Sequence, residues 1–503
     1  MTDGTDGTEF MDVLPDRLHE TVLRHARATP DAPAIADPDR AITYGQLGAA
    51  VERVADRLRR HGLRPGDRMS LVNENAVAAA VLVFAASLCG AVVSPVNARI
   101  APREVAVMRD LLRPRFSAFV AASPAARGHA DALAGVETVA DPEIGDYALG
   151  PVDADAVPED DPAPALVMFT SGTTGRPKGV VHSHRAIIYQ GASQAVSRRV
   201  RADDTLYIVA PLSHAIGLGS NLMTAAVAGA EALLAPRFDP AALARDIASE
   251  RISFMVAVPQ VYAKLLDHAE AHGIALGSGR MRFTGTGGAP VDVALMRRMR
   301  ATFGLPFGNA YGCTEMTPIT RVPDGVEAAG DAIGLPSPGC EVRIVGEDGQ
   351  DVADGAVGEI WARGPSRMLG YFRDPKATAE TIVEGGWLRT GDMARRGAEG
   401  QIHIVGRGKD LIIRSGFNVY PVEVEGVLNG FPGVVQSAVL GRRVEGDEEV
   451  IAFVQPAVGA SVDVEALRAW ARENLAGYKV PSEITLRDLP IGPTGKILKS
   501  ALA

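Results

Sequence analysis

The chain has 503 residues, enough for two or more hydrophobic cores, and at 47% hydrophobic it has the make-up of a soluble globular protein. A formal net charge of −10, with no basic block and no interleaving of aromatic and basic residues, excludes a general nucleic-acid binder. The cysteines Cys89, Cys313 and Cys340 are scattered and odd in number, which excludes a disulfide framework and a zinc site and fits a reducing, cytoplasmic setting.

The first residues are small and acidic. They lack a basic start and an apolar run, so they do not read as a signal peptide. An amphipathic helix is expected over 16–28, a short strand over 34–36, and a helix from about 43 to 61 with Thr43 as its N-cap. A strand over 68–72 follows. Residues 76–93 carry no charge and just reach spanning length, but they are alanine-rich, interrupted by Ser87 and Gly90, and run into Ser94-Pro95. A buried helix leading into a buried strand explains them without a membrane span. This alternation predicts a mostly parallel sheet covered by helices.

Residues 151–164 are acidic and proline-rich and would pass for a linker. They are read instead as the surface approach to an apolar strand, 165–169, and to the string Thr170-Ser171-Gly172-Thr173-Thr174-Gly175-Arg176-Pro177-Lys178-Gly179. Glycines let such a loop turn tightly and present its amides, and hydroxyls with a lysine suit a polyphosphate. Walker A spacing is not met, because Arg-Pro separates Gly175 from Lys178 and glycine follows the lysine.

Further strands are expected over 206–210 and 254–258, and a helix over 260–272. His268 and His272 lie four apart on that helix without the glutamate spacing of a zinc motif, and read as a solvated helix end. A glycine loop spans 283–290. Tyr311-Gly312-Cys313-Thr314-Glu315 then places an aromatic, a hydroxyl and a carboxylate within five residues. A carboxylate beside a polyphosphate suits Mg²⁺, which takes hard oxygens. After residue 330 the chain turns to short strands and turns, and Trp387-Leu388-Arg389-Thr390-Gly391-Asp392 ends on a carboxylate suited to two vicinal hydroxyls.

Gly406-Arg407-Gly408-Lys409-Asp410 is a charged, glycine-flanked joint, and beyond it lies a compact α+β unit. The expected division is residues 1–405 and 406–503. Lysine is scarce against arginine, so Lys178, Lys409 and Lys496 stand out. The last sits in Pro493-Thr494-Gly495-Lys496, while Lys499 is expected at the surface.

Together, and in this order, these motifs resemble the adenylate-forming superfamily, specifically its acyl- and aryl-coenzyme A synthetases. The resemblance covers nearly the whole chain. It implies an α/β fold: a large N-terminal domain of helix-covered sheets with a small β-rich subdomain, then a small mobile α+β C-terminal domain. It implies that Thr170 to Gly175 and Lys178, with Gly288, Ala289 and Pro290, cradle ATP. Tyr311 packs on adenine, Thr314 contacts phosphate and Glu315 holds Mg²⁺. Asp392 and Arg407 take the ribose, Lys409 is the hinge and Lys496 the catalytic lysine. His214, Ile216, Gly217, Val258, Gly287, Gly312 and Cys313 would line the acyl pocket. Ser415, Gly416 and Phe417 mark the thiol-binding region, and His184 is structural.

The implied reaction forms an acyl-adenylate from ATP and a carboxylic acid, then a thioester with coenzyme A. The small, apolar pocket residues favour a medium-chain fatty or aromatic acid. A carrier protein's phosphopantetheine is the alternative acceptor, a degenerate AMP-binding sensor is the alternative class, and a homodimer is left open.

Overall fold

The uncharged stretch folds as the helix Val77–Leu88, buried from Val77 to Ser87, and continues into the strand Val92–Asn97. No helix among the described residues is long and apolar enough to cross a membrane. The computed structural model describes residues 8–170, 177–277, 279–289, 291, 293–326, 332–397, 400–415, 417–444, 447–457, 459–492 and 497–502. With helix Tyr44–His61, the buried helix fills the space between two sheets. One continuous core joins Met69, Leu71 and Val93 of the first sheet to Leu206, Ile208 and Phe254 of the second. Thr43 caps its helix as expected, accepting from the Gln46 amide.

The first sheet has parallel strands at its centre, Val92–Asn97, Arg68–Asn73 and Phe116–Phe119. At one side Pro164–Thr170 and Lys178–Ser183 form an antiparallel hairpin whose last pair is Thr170 with Lys178. Thr170 and Lys178, the two ends of the described hairpin arms, therefore stand opposite each other. The approach to the hairpin, 151–164, is strapped down: Arg115 donates to the carbonyls of Asp153, Ala154 and Ala156, and Arg68 pairs with Glu159 at 2.6 Å.

The second sheet runs parallel through Glu231–Leu234, Thr205–Ile208, Phe254–Val256, Phe283–Gly287 and Phe307–Cys313. The chain then reverses at Thr314-Glu315 into Met316–Arg321. Ala332–Pro336 pairs on one side with Met316–Arg321 and on the other with Ile402–Arg407. The β-rich region is thus hydrogen-bonded onto the second sheet at this shared strand rather than standing apart from it.

Beyond the joint, hairpin Ile412–Arg414 and Phe417–Val419, strands Val434–Val444, Asp447–Pro456 and Glu483–Leu486, and helices Pro421–Asn429 and Val464–Asn474 enclose a separate core. That core includes Ile412, Val424, Leu428, Val439 and Leu467. Residues 407–410 between the cores are exposed.

Candidate active site

Four parallel strands of the second sheet point their carboxyl ends the same way, the edge where open α/β sheets bind ligands. Thr205–Ile208 leads to the segment that carries His214, Phe254–Val256 leads to Val258, Phe283–Gly287 to Gly288 and Ala289, and Phe307–Cys313 ends on Tyr311, Gly312 and Cys313. The sheet thereby gathers residues about a hundred positions apart.

One end of the site centres on Asp392. Its strand, Trp387–Arg396, pairs antiparallel with Ile402–Arg407, and Asp392 stands directly opposite Arg407. The Arg407 Nε lies 3.0 Å from Asp392 Oδ1, and the Tyr311 hydroxyl donates to Oδ2 at 2.6 Å. Gly391 turns the chain just before it with φ +73°, and its amide donates to Glu359 at 3.0 Å. Burial, with the Asp392 charge beside it, holds the Tyr311 phenol protonated well above its usual range. The phenol therefore stays a donor to the carboxylate.

The other end centres on Glu315, at the turn between Phe307–Cys313 and Met316–Arg321. Its Oε1 accepts from the Tyr371 hydroxyl at 2.7 Å, and its carbonyl accepts from the Met368 amide at 2.7 Å. Lys178 opens its strand beside the same tyrosine, with Nζ 4.8 Å from the ring centroid. Sequence reasoning missed Tyr371, and no spacing in the chain points to it. Glycine at 179 makes this approach possible, since a Cβ there would lie 3.1 Å from Phe372 Cβ.

Among the described residues, no group of three or more His, Cys, Asp and Glu side chains forms a metal cage. Mg²⁺ shared between one carboxylate and substrate phosphates needs none. Glu315 fits this use: a carboxylate has about four lone-pair directions, so one phenol hydrogen bond leaves acceptor capacity for a cation.

Of the residues expected to line an acyl pocket, Ile216 and Gly217 open a π-helix, Ile216–Leu222, and His214 lies just before it. The Ile216 amide donates to His214 Nδ1 at 3.2 Å, and His214 and Ile216 are half-buried. Gly287 shares a strand face with Gly285 and Phe283 by simple alternation. The Phe283 ring lies flat over that face, where a Cβ on Gly285 would come within 2.7 Å of it, and stacks on Phe254 at 4.7 Å. Burial, and then Glu315 and Asp392, push the Cys313 thiol well above its usual pKa, so it is a neutral group.

In the C-terminal unit, Ser415 sits at the turn of a hairpin with φ +52°, its hydroxyl donating to Asp447 at 2.8 Å. Phe417 is half-exposed and stacks on Tyr478 at 4.6 Å. Lys409 lies in the exposed turn Gly408–Asp410. His184 is buried, accepts from the Leu18 amide, and is held neutral by burial. His268 and His272 form an exposed helix end with rings 4.2 Å apart. Ser171 to Arg176, Pro290, Gly416 and Lys496 lie outside the described residues.

The family model of the AMP-binding enzyme matches residues 22–372, and that of the AMP-binding enzyme C-terminal domain matches 423–496. A feruloyl-CoA synthase from an Amycolatopsis species is 37% identical over 489 residues, 95% of this chain and 96% of that protein. An indoleacetate–CoA ligase from Aromatoleum aromaticum is 35% identical over 503 positions, 96% of each chain. The solved structure of O-succinylbenzoate coenzyme A synthetase (MenE) from Bacillus subtilis, with ATP and magnesium ion, matches with a TM-score of 0.80. It is 28% identical, and the match covers 96% of this chain and 98% of that one.

Proposed function

The chain belongs to the AMP-binding enzyme family, in the coenzyme A synthetase branch of the adenylate-forming superfamily, and from that premise we propose which residues carry its reaction and which acid it takes. It is an AMP-forming acid–thiol ligase that uses ATP, Mg²⁺ and coenzyme A. In the first half-reaction a carboxylate oxygen bonds to the α-phosphorus and the bond to the β-phosphate oxygen breaks, releasing pyrophosphate. In the second, the thiol sulfur bonds to the acyl carbon and AMP leaves.

In our reading Asp392, charged and braced by Arg407 and Tyr311, accepts the ribose hydroxyls. Lys178 meets the phosphates together with Thr170 to Gly175. Glu315, with Thr314 beside it, would hold Mg²⁺, which when bound neutralises the departing pyrophosphate. Gly288 to Pro290 flank the nucleotide. Lys496 bridges carboxylate and α-phosphate, stabilising the charge that develops as they meet.

Residues 1–405 and 406–503 act as two domains that reorient about Lys409, and Ser415 to Phe417 take part in admitting the thiol. Support for this division is that the buried clusters fall on either side of the exposed joint, one reaching Ile402 and the next starting at Ile412.

The acid is aromatic in this reading, and one observation carries it. Side chains are absent at Gly285 and Gly287, and the Phe283 ring covers Gly285 and stacks on Phe254. A planar acid stacked beside Phe283 and Phe254 would meet an apolar, aromatic wall. The two relatives named above act on feruloyl and indoleacetate groups, which are planar and aromatic.

The test is pyrophosphate release with MgATP across cinnamic, indole-acetic, benzoic and straight-chain fatty acids, each with and without coenzyme A. Turnover on the planar acids that coenzyme A accelerates supports the reading. Preference for the straight chains overturns the aromatic assignment. Adenylate that accumulates untouched by coenzyme A moves the acceptor to a carrier protein.

A further inference from the structure

A short strand, Gly370–Tyr371, pairs antiparallel with the hairpin arm Lys178–Ser183, with Tyr371 opposite Val180. Its backbone is fixed by three hydrogen bonds. Phe372 donates to the Gly179 carbonyl at 2.7 Å, Leu369 to the Val181 carbonyl at 2.8 Å, and the Tyr371 amide to Thr378 Oγ1 at 2.9 Å. Helix Pro375–Thr381, capped by Asp374, supplies that threonine. The Tyr371 side chain therefore has a rigid base.

That side chain touches both charged groups of the phosphate site. Its hydroxyl donates to Glu315 at 2.7 Å and its ring face carries the Lys178 ammonium at 4.8 Å. Glu315 and Lys178 do not pair with each other. Opposite charges that share one neighbour in a partly buried site attract, and a direct ion pair is the arrangement to expect where that neighbour does not separate them. A lysine neutralised in this way meets a phosphate poorly, and a carboxylate neutralised in this way meets a cation poorly. The aromatic ring stabilises an ammonium through its quadrupole without consuming its hydrogen-bond donors. The phenol fixes one carboxylate oxygen without cancelling its charge.

We infer that Tyr371 is a positioning residue that keeps Glu315 and Lys178 apart, each aimed at its own ligand, Mg²⁺ and the ATP phosphates respectively. The inference rests on the assignment of Glu315 to the metal and Lys178 to phosphate. Partners of this kind, which orient a metal-binding side chain without touching the metal, change metal affinity by about 10–100-fold when removed.

The experiment is calorimetric titration of the full chain with α,β-methylene-ATP, which cannot release pyrophosphate, with and without Mg²⁺. The variants are Tyr371→Phe, Tyr371→Leu, Glu315→Gln and the double variant Tyr371→Phe/Glu315→Gln. Tyr371→Phe keeps the ring and should hold the metal-free affinity while losing about tenfold of the affinity that Mg²⁺ adds. Its KM for MgATP should rise by more than its kcat falls. Tyr371→Leu should lower the metal-free affinity as well, because Lys178 loses the ring. The double variant should match Glu315→Gln alone, since Tyr371 acts through Glu315.

An undiminished Mg²⁺ effect in Tyr371→Phe overturns the inference, as does a further loss in the double variant. A Glu315→Gln chain that keeps the full Mg²⁺ effect overturns the metal assignment itself. That failure is seen with Tyr371 intact, so the two are told apart.

Discussion

Asp392 and Arg407 face each other across two antiparallel strands, Oδ1 to Nε at 3.0 Å, although Arg407 is half-exposed and Asp392 is buried. The arrangement holds a charged carboxylate at the site's edge with its position fixed before ligand arrives, which lowers the ordering cost of binding. Asp392→Asn keeps an acceptor for Tyr311 and removes the charge. Hydrogen bonds to charged groups contribute about 1.5–3 kcal/mol, so the Kd for AMP and the KM for ATP should rise about 10–100-fold. The kcat at saturating ATP should change less. Binding of AMP by calorimetry, beside steady-state kinetics, checks this, and unchanged nucleotide affinity would remove Asp392 from the ribose.

The C-terminal tail offers a second test. Lys499, expected at the surface, is instead tied to Glu425 at 2.6 Å and to the Val439 carbonyl at 3.2 Å. Leu502 is buried with Ala438 and Leu489, and Ile491 bridges Ile497. The chain on either side of Lys496 is thus anchored on the C-terminal core. Lys496→Ala should lower adenylate formation about 10²–10³-fold, the usual effect of losing one preorganised charge-stabilising group. It should largely spare thioester formation from a supplied adenylate. Lys499→Ala, which loosens the anchor and leaves the reacting group in place, should cost on the order of tenfold in the same half-reaction. Equal losses in both half-reactions for Lys496→Ala would reassign the catalytic lysine.

What the sequence offers of the candidate site is local. The Thr170–Gly179 string, the Thr390-Gly391-Asp392 turn and the Thr43 cap are each read within a few residues, and Val77–Leu88 is betrayed by composition alone. What the sequence hides are contacts made by the fold. Tyr311 and Asp392 meet across 81 residues, and Tyr371 reaches Glu315 across 56. Neither pair leaves a periodicity. The Lys499 pair is hidden for the same reason, since a lysine near the end of a chain looks solvent-exposed by default. The β-rich region was legible as a subdomain of the N-terminal domain, but not the pairing of Ala332–Pro336 on both edges that joins it to the main sheet.

Two buried histidines set an acid limit on stability. Burial lowers the His182 pKa to about 4. Burial, then the nearby Arg17 and His19, lowers that of His184 to about 3. Unfolded, each titrates near its ordinary value, so between these limits the unfolded chain binds more protons and stability falls as pH falls. The loss starts below about pH 6.5 and reaches about 1.4 kcal/mol per histidine one unit lower. Urea unfolding at pH 7.5, 6.5 and 5.5 should show this decline before most carboxylates titrate. His184→Gln should flatten the slope by about half, and an unaltered slope would place the acid sensitivity elsewhere.

Arg115 and Asp67 test how the phosphate loop is supported. The guanidinium grips Asp67 with two hydrogen bonds, at 3.0 and 2.9 Å, and the two side chains are 5% and 0% exposed. Its remaining donors hold the carbonyls of 153, 154 and 156, so one buried side chain ties the proline-rich approach to the first sheet. Arg115→Ala leaves a buried carboxylate unpaired and should destabilise the protein by about 3–5 kcal/mol. Arg115→Lys keeps the charge but has no fork to reach both partners, and should recover only part of that loss. Because the strap feeds directly into Pro164–Thr170, the lysine variant should also become open to protease within 151–164 and bind ATP more weakly, even at temperatures where it stays folded. Limited proteolysis followed by mass spectrometry, with ATP titration of the same samples, reads both effects. A lysine variant as resistant and as tight-binding as the parent would show that the strap is ornament, and that the hairpin alone fixes the phosphate loop.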